Sequence, residues 1–168
     1  MILVAVGGNL AAPGFGSPVE TCAASLAELE RRGIQITLQS QWYDTAPVPV
    51  SDQPWFVNGV VAVAAAVGPH ALLAILQDVE SSFGRRRSVP NAARTLDLDL
   101  LAYDGRVVAD GARLILPHPR MHERAFVLLP LAEIVPDWRH PVTGRSVAEM
   151  IAALPHGQRC VPSAQRKK

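Results

Sequence analysis

The sequence predicts an α+β domain in which helices pack on an antiparallel sheet. Three observations carry this. Two amphipathic stretches of helical spacing lie between short β-branched apolar runs, and glycines and prolines punctuate the ends of those runs. The chain of 168 residues is also 49% hydrophobic and 18% charged. A chain of that length buries roughly two-thirds of the surface it exposes when unfolded. Intrinsic disorder and a stapled mini-protein are both excluded.

Ile2 to Val6 is apolar and closed by Gly7-Gly8-Asn9, so it reads as a buried strand running into a loop. Ser17 or Thr21 can cap a helix through about Arg32, with Cys22, Leu26 and Leu29 on one face and Gly33 as the stop. Ile34, Ile36 and Leu38 alternate with polar residues, the pattern of a half-exposed strand. Thr45 to Pro54 contains Pro47, Pro49 and Pro54 and reads as a loop, and Val57 to Val67 returns to a strand. Pro69 suits the first turn of a helix through Phe83, with Leu72, Leu73, Leu76 and Val79 along one face. Arg85 to Arg94 has no period and is a polar loop, followed by a strand from Leu96 to Tyr103. Asp104-Gly105 suits a hairpin turn into Val107-Val108. Pro117-His118-Pro119 forces an extended turn, Phe126 to Ile134 reads as a helix despite Pro130, and Ser146 to Leu154 as a last short one.

The order strand, helix, strand, strand, helix, strand is the βαββαβ plan of a ferredoxin-like core, an antiparallel sheet flanked by helices. One domain is expected over residues 1–155. Residues 156–168, with Gly157 and the polar end Gln165-Arg166-Lys167-Lys168, are expected to form a flexible C-terminal tail.

The net charge of +1 argues against a dedicated nucleic-acid binder. Two cysteines are too few for a disulfide framework or a four-cysteine zinc site. The longest apolar run, Val60 to Val67, is far short of the roughly 20 residues that span a bilayer. The first residues lack the basic stretch of a signal peptide, so a cytoplasmic protein is expected. The distribution of cations is more informative. Lysine occurs only at Lys167 and Lys168, and eight arginines fall between Arg85 and Arg124. A GC-rich genome would also favour arginine over lysine, but it would not cluster it.

Arg94-Thr95-Leu96-Asp97-Leu98-Asp99-Leu100 is the strongest local signal. In a strand, Asp97 and Asp99 share one face and the leucines share the other. Two carboxylates on one face repel each other, and a divalent cation between them removes that repulsion. An edge strand with a solvated face fits the same pattern. Arg85, Arg86, Arg87 and Arg94, just before the carboxylates, suit a polyphosphate held between arginines and metal ions, although a solvated loop would also carry them. Glycine-rich nucleotide motifs of the GxxxxGK[ST] and GxGxxG kinds are absent. His118, rigid between two prolines, can reach a phosphate or simply satisfy a backbone group. Phe56 and Asn58, two apart, place an aromatic face beside a side-chain amide, which suits a flat heteroaromatic ligand and equally a core position beside a turn.

Taken together, Gly7-Gly8-Asn9-Leu10, Tyr43-Asp44-Thr45-Ala46-Pro47, Asp52-Gln53-Pro54 through Asn58, Glu80 through Arg85, Arg94 through Asp99, and Pro117-His118 resemble, in order, the 6-hydroxymethyl-7,8-dihydropterin pyrophosphokinase (HPPK) family of folate biosynthesis. The resemblance runs from Val4 to about Glu149. It implies transfer of pyrophosphate from ATP to the pterin hydroxymethyl group with release of AMP. It implies two magnesium ions on Asp97 and Asp99, and Arg85 and Arg94 as catalytic arginines facing the phosphates. Gln77, Arg85, Arg87, Arg94, Arg113, His118 and Arg124 match the ATP-binding positions. Thr45, Ala46, Pro47, Val48, Phe56, Asn58 and Phe126 match the pterin-binding positions, with the Thr45 to Val48 backbone reading the amide edge. Glu80 matches an acidic position on the ATP side. The chain departs from the family at Gly8, where serine is usual, at Asn91-Ala92-Ala93, where Trp-Gly-Pro is common, and at Pro119, where tyrosine is common. A paralogue acting on another pterin alcohol, or a non-catalytic pterin- or nucleotide-binding module, stays open on these residues. The partners expected are ATP and the hydroxymethyl-dihydropterin, for a monomer that binds neither nucleic acid nor membrane.

Overall fold

Ile2–Gly8 form β1, all seven residues buried, which requires a strand covered on both faces. The computed structural model describes residues 1–47, 51–85, 92–111 and 113–163. The strand extends through both glycines, two residues beyond the end expected from the apolar run, because Gly7 and Gly8 continue the ladder with Asn58 and Val57.

Helix α1 (Pro18–Arg31) is capped by Ser17, whose hydroxyl accepts from Glu20 N–H at 3.2 Å. Thr21 instead accepts from Ala12 N–H at 2.9 Å and fastens the incoming loop. Strand β2 (Gln35–Gln39) is followed by β3 (Tyr43–Thr45), a strand missed because its three residues adjoin a proline-rich segment. Strand β4 (Phe56–Ala64) leads into α2 (Pro69–Ser82), which starts at the expected proline. Strand β5 (Asp97–Tyr103) follows the arginine-rich loop.

The turn expected at Asp104-Gly105 is present, with both residues at positive φ, but no hairpin is built on it. Strand β6 (Val108–Asp110) pairs with β7 (Leu114–Leu116) in a separate two-stranded sheet. A 3-10 turn, Met121–Glu123, precedes α3 (Ala125–Ile134). Helix α4 (Val147–Ala152) opens on a reciprocal capping box between Ser146 and Glu149. Residues 158–163 depart from the expected tail. Cys160–Pro162 form β8, antiparallel to β3, because β3 leaves an edge whose backbone groups need partners. Residues 164–168 lie outside the described residues.

Among the described residues, the main sheet runs β5-β1-β4-β3-β8, with β2 also pairing β4. Taking β2 and β3 as one interrupted strand gives the ferredoxin-like order expected from the sequence. Ser40 bridges the interruption: its N–H donates to the Val60 carbonyl and its hydroxyl accepts from Val60 N–H, both at 3.0 Å.

The two faces of the sheet carry separate cores. Ile2, Val4, Val6, Val61, Leu98 and Leu100 pack against α1 and α2. Leu3, Ala5, Val60, Ala62 and Leu101 pack against α3 and α4. No helix among the described residues is long and apolar enough to cross a membrane.

Candidate active site

Strand alternation decides which residues form the site. Leu98 and Leu100 point into the α1–α2 core, so Asp97 and Asp99 project from the opposite face, as the sequence predicts. The register places Asn58, Gly7 and Asp97 in one row across β4, β1 and β5, with Val60, Ala5 and Asp99 in the next. The middle strand therefore contributes only small side chains between an amide on one side and two carboxylates on the other. A Cβ on Gly7 would lie 2.3 Å from Asn58 Oδ1, so glycine there lets the Asn58 amide lie across the strand. A Cβ on Gly8 would lie 2.3 Å from the Thr95 carbonyl, so glycine there admits the Arg94-Thr95 backbone.

Arg85, Arg94 and Arg124 each engage a carboxylate. Arg94 Nη1 donates to Asp97 Oδ2 at 2.7 Å, and Arg85 bridges Asp97 Oδ1 and Glu80 Oε1. Arg124 Nη1 donates to Asp99 Oδ2 at 3.4 Å. Burial lowers the Arg85 affinity for its proton, but Asp97 and Glu80 outweigh it and hold the guanidinium above its usual range. Asp99 is enclosed by protein yet keeps 34% of its side chain open to a cavity. Its carboxyl is pushed up by burial first and by the neighbouring Asp97 second.

His118 Nε2 lies 4.0 Å from Asp99 Oδ2, while its Nδ1 accepts from Arg120 N–H at 3.2 Å. That bond places the proton of the neutral ring on Nε2, facing the carboxylate. Burial lowers the pKa of His118; Arg124 and Arg120 lower it further, against an opposing pull from Asp99. The His118 N–H donates to the Leu101 carbonyl at 2.8 Å. That carbonyl sits where the β1–β5 register slips between Val4–Leu100 and Leu3–Ala102.

Gln77, Arg85, Asp99, Arg113 and His118 line one cavity of about 330 Å³, which brings together most of the residues expected around ATP. A groove of about 460 Å³ between α1 and β2 contains only one titratable group, Glu30. Arg86, Arg87, Asn91 and Val48 lie outside the described residues.

On the other side of Gly7, Asn58 is buried and donates from Nδ2 to the hydroxyl of Thr45, also buried. The Phe56 ring lies under the Arg94 guanidinium at 5.9 Å, and the Phe126 ring under that of Arg124 at 5.4 Å. Phe126 lies in the first turn of α3, which packs across β4 and β3. The Ala46 N–H is not open to a ligand, because it donates to the Arg159 carbonyl at 3.0 Å.

Two residues matter more than their sequence neighbourhood indicates. Glu80 is buried in α2, and its Oε1 accepts from Leu98 N–H at 2.7 Å as well as from Arg85, fixing the arginine to the strand that bears Asp97. Asn9 is 2% exposed. Its Oδ1 accepts from Arg94 N–H at 2.8 Å, its Nδ2 donates to the Pro54 carbonyl at 3.1 Å, and its own N–H donates to the Arg94 carbonyl at 3.0 Å. The side chain clips the loop before β5 to the loop before β4. A lone asparagine directly after a buried strand was the available signal.

No group of three or more His, Cys, Asp or Glu placed to hold a metal exists among the described residues. Asp97 and Asp99 supply hard oxygen donors on one face, and that set fits magnesium, which completes its shell with phosphate oxygens and water.

A family model described as 7,8-dihydro-6-hydroxymethylpterin-pyrophosphokinase (HPPK) matches residues 3–136. A Pseudomonas aeruginosa protein named 2-amino-4-hydroxy-6-hydroxymethyldihydropteridine pyrophosphokinase is 42% identical over 155 residues, covering 92% of this chain and 91% of its own. One of the same name from Methylorubrum extorquens is 41% identical over 146 residues, covering 84% and 90%. Among solved structures, Plasmodium falciparum HPPK-DHPS superposes with a TM-score of 0.71 at 14% identity, covering 90% of this chain and 44% of that one, a likeness of fold. By its family-model match and these relatives, the chain belongs to the HPPK family.

Proposed function

We propose that this chain transfers the terminal pyrophosphoryl unit of ATP to the hydroxymethyl oxygen of 6-hydroxymethyl-7,8-dihydropterin, releasing AMP, as a step of folate biosynthesis. The observation that carries this reading is the row Asn58–Gly7–Asp97, in which one sheet face presents an amide for a flat heterocycle beside a carboxylate pair ringed by arginines. It fits the activity in the names of the curated relatives.

The attacking alcohol must meet the β-phosphorus in line with the departing AMP oxygen, forming one O–P bond as the other breaks and releasing the hydroxyl proton to solvent. Positioning and charge neutralisation then supply most of the rate. Asn58 and Thr45 read the heterocycle edge, and Phe56 and Phe126 bound it by their faces. Gln77, Arg113, His118 and Arg124 hold the nucleotide in the cavity beside Asp99. Arg85 and Arg94 stabilise charge on the transferring phosphates, and Arg87 and Val48 belong to the same reading. Asp97 and Asp99 would hold two magnesium ions, which neutralise phosphate charge and polarise its oxygens when bound.

Arg85, Arg94 and Arg124 pair with Glu80, Asp97 and Asp99, so the charges of these six side chains balance. In this reading the same arginines would turn to the phosphates, leaving Asp97 and Asp99 to hold the cations. A monomeric, cytoplasmic enzyme of one domain over residues 1–155, with β8 added to its sheet, completes the reading.

The test is AMP release from ATP and magnesium with and without the dihydropterin, using Asp97→Asn as the blank. Pterin-dependent AMP that vanishes in the variant is expected. AMP formed equally without pterin, or by the variant, would overturn the assignment.

A further inference from the structure

The family model ends at residue 136, yet the chain returns to the site later. Beyond the turn at Gly157, the Gln158 side chain lies across the start of α3. Its Oε1 accepts from Ala125 N–H at 2.8 Å, and its Nε2 donates to the Glu123 carbonyl at 2.7 Å. These peptide groups flank Arg124, the N-cap residue, whose side chain makes no cap hydrogen bond. The first N–H groups of a helix have no partner within it. Gln158 supplies, from a distant segment, an acceptor for the first of these N–H groups.

The next residue reaches the opposite wall. The Arg159 carbonyl accepts from Ala46 N–H at 3.0 Å, and its guanidinium covers the Trp55 ring at 5.1 Å. One dipeptide therefore spans from the α3 turn that carries Phe126 to the segment that carries Thr45, Ala46 and Pro47.

We propose that Gln158 is a positioning residue that sets the width of the pterin slot, with the Arg159 backbone as its tie to the facing wall. This rests on the pyrophosphokinase reading above. The far end of α3 is held independently, because Glu133 accepts from Gln41 N–H at 2.9 Å and from the Tyr43 hydroxyl at 3.2 Å. Arg124 has its own hold on Asp99. Loss of the Gln158 amide therefore loosens α3 only at its Phe126 end, and the effect falls on the pterin more than on the nucleotide.

The experiment compares the parent protein with Gln158→Ala and Gln158→Glu. A non-hydrolysable ATP analogue is titrated first by calorimetry, and then 6-hydroxymethylpterin with the analogue saturating. Initial rates and melting curves accompany both titrations. Gln158→Ala is expected to raise the pterin dissociation constant and KM about tenfold, the scale of one lost hydrogen-bonded tie, while analogue affinity moves less than about twofold. Gln158→Glu keeps an acceptor for Ala125 N–H and should recover part of the pterin affinity. If Gln158→Ala unfolds, Gln158→Glu carries the test through its lost donation to Glu123. Pterin affinity equal to the parent in the variants, or equal losses for both ligands, would overturn the positioning role alone. A parent that binds no pterin would overturn the underlying reading as well.

Discussion

The two faces of the central sheet use the same strands for opposite purposes. Along β5, Leu98 and Leu100 are 3% and 4% exposed, a closed floor under α1 and α2. One residue out of phase, the Asp97 and Asp99 side chains are 26% and 34% exposed on the face that α3 and α4 cover only farther along. The α1–α2 face stays apolar to the strand ends, whereas the other turns from Leu3, Val60 and Leu101 to Gly7, Asn58 and Asp97 within a few residues. A period of two lets a strand be a core element and a bench for chemistry at once, and the reach of the covering helix decides where one becomes the other.

Substitutions on the two faces should separate these roles. The largest effect is expected from Asp97→Asn or Asp99→Asn. Turnover should fall by about 10²–10³-fold or more, since each removes a charge that organises the phosphate site. The melting midpoint should stay within about 3 °C, because part-exposed ion pairs contribute little to stability. Near-normal turnover in either variant would erase the distinction between the faces. Leu98→Ala, one residue away, should do the reverse: chemical denaturation should show a loss of about 2–5 kcal/mol, with kcat per folded molecule retained.

Gly7→Ala tests the row between the two halves of the site. The new methyl must displace the Asn58 amide, so steady-state kinetics should show the pterin KM rising about tenfold, a displaced contact costing about 1.4 kcal/mol, with the ATP KM unchanged.

The smallest effect concerns His140, buried under the C-terminal layer. Its Nδ1 accepts from Val142 and Thr143 N–H, both at 3.3 Å. Burial, aided by His122 and Arg145, holds the imidazole below its usual 6.5. The unfolded chain therefore takes up the proton first. The stability tied to neutral His140 is complete above 6.5 and is lost as pH falls through the lower folded value. His140→Asn keeps an acceptor without the titration, so its melting midpoint should fall less steeply than the parent's between about pH 7.5 and pH 5.5. Parallel slopes would assign the acid sensitivity elsewhere.

The sequence was most legible where a local period was strong. Cys22, Leu26 and Leu29 marked α1, Leu72, Leu76 and Val79 marked α2, and the Asp–Leu alternation marked both faces of β5. It was least legible where an element exists through a distant partner. Tyr43–Thr45 has too few residues to show a period and is a strand through β4 and β8. Cys160–Pro162, in a segment that composition assigns to a tail, exists through its pairing with β3. At the site, the acidic and basic residues announced themselves by type and clustering. Asn9 and Gln158 are ordinary amides whose roles arise from contacts 85 and 33 residues away in sequence, which no local pattern encodes.

The register slip between Leu3 and Val4 also ties strand length to chemistry. Leu101 is the extra residue on β5, and its carbonyl, released from the ladder, is what His118 N–H binds. Removing one residue there would restore regular pairing and at the same stroke unmoor the histidine that faces Asp99. The slip also stands between the Asp104-Gly105 turn and the carboxylates. Residues 104–107 are exposed, so a length change there can stay within the turn and leave Leu101 and its hold on His118 in place, which makes the turn the natural place for this scaffold to accept an insertion.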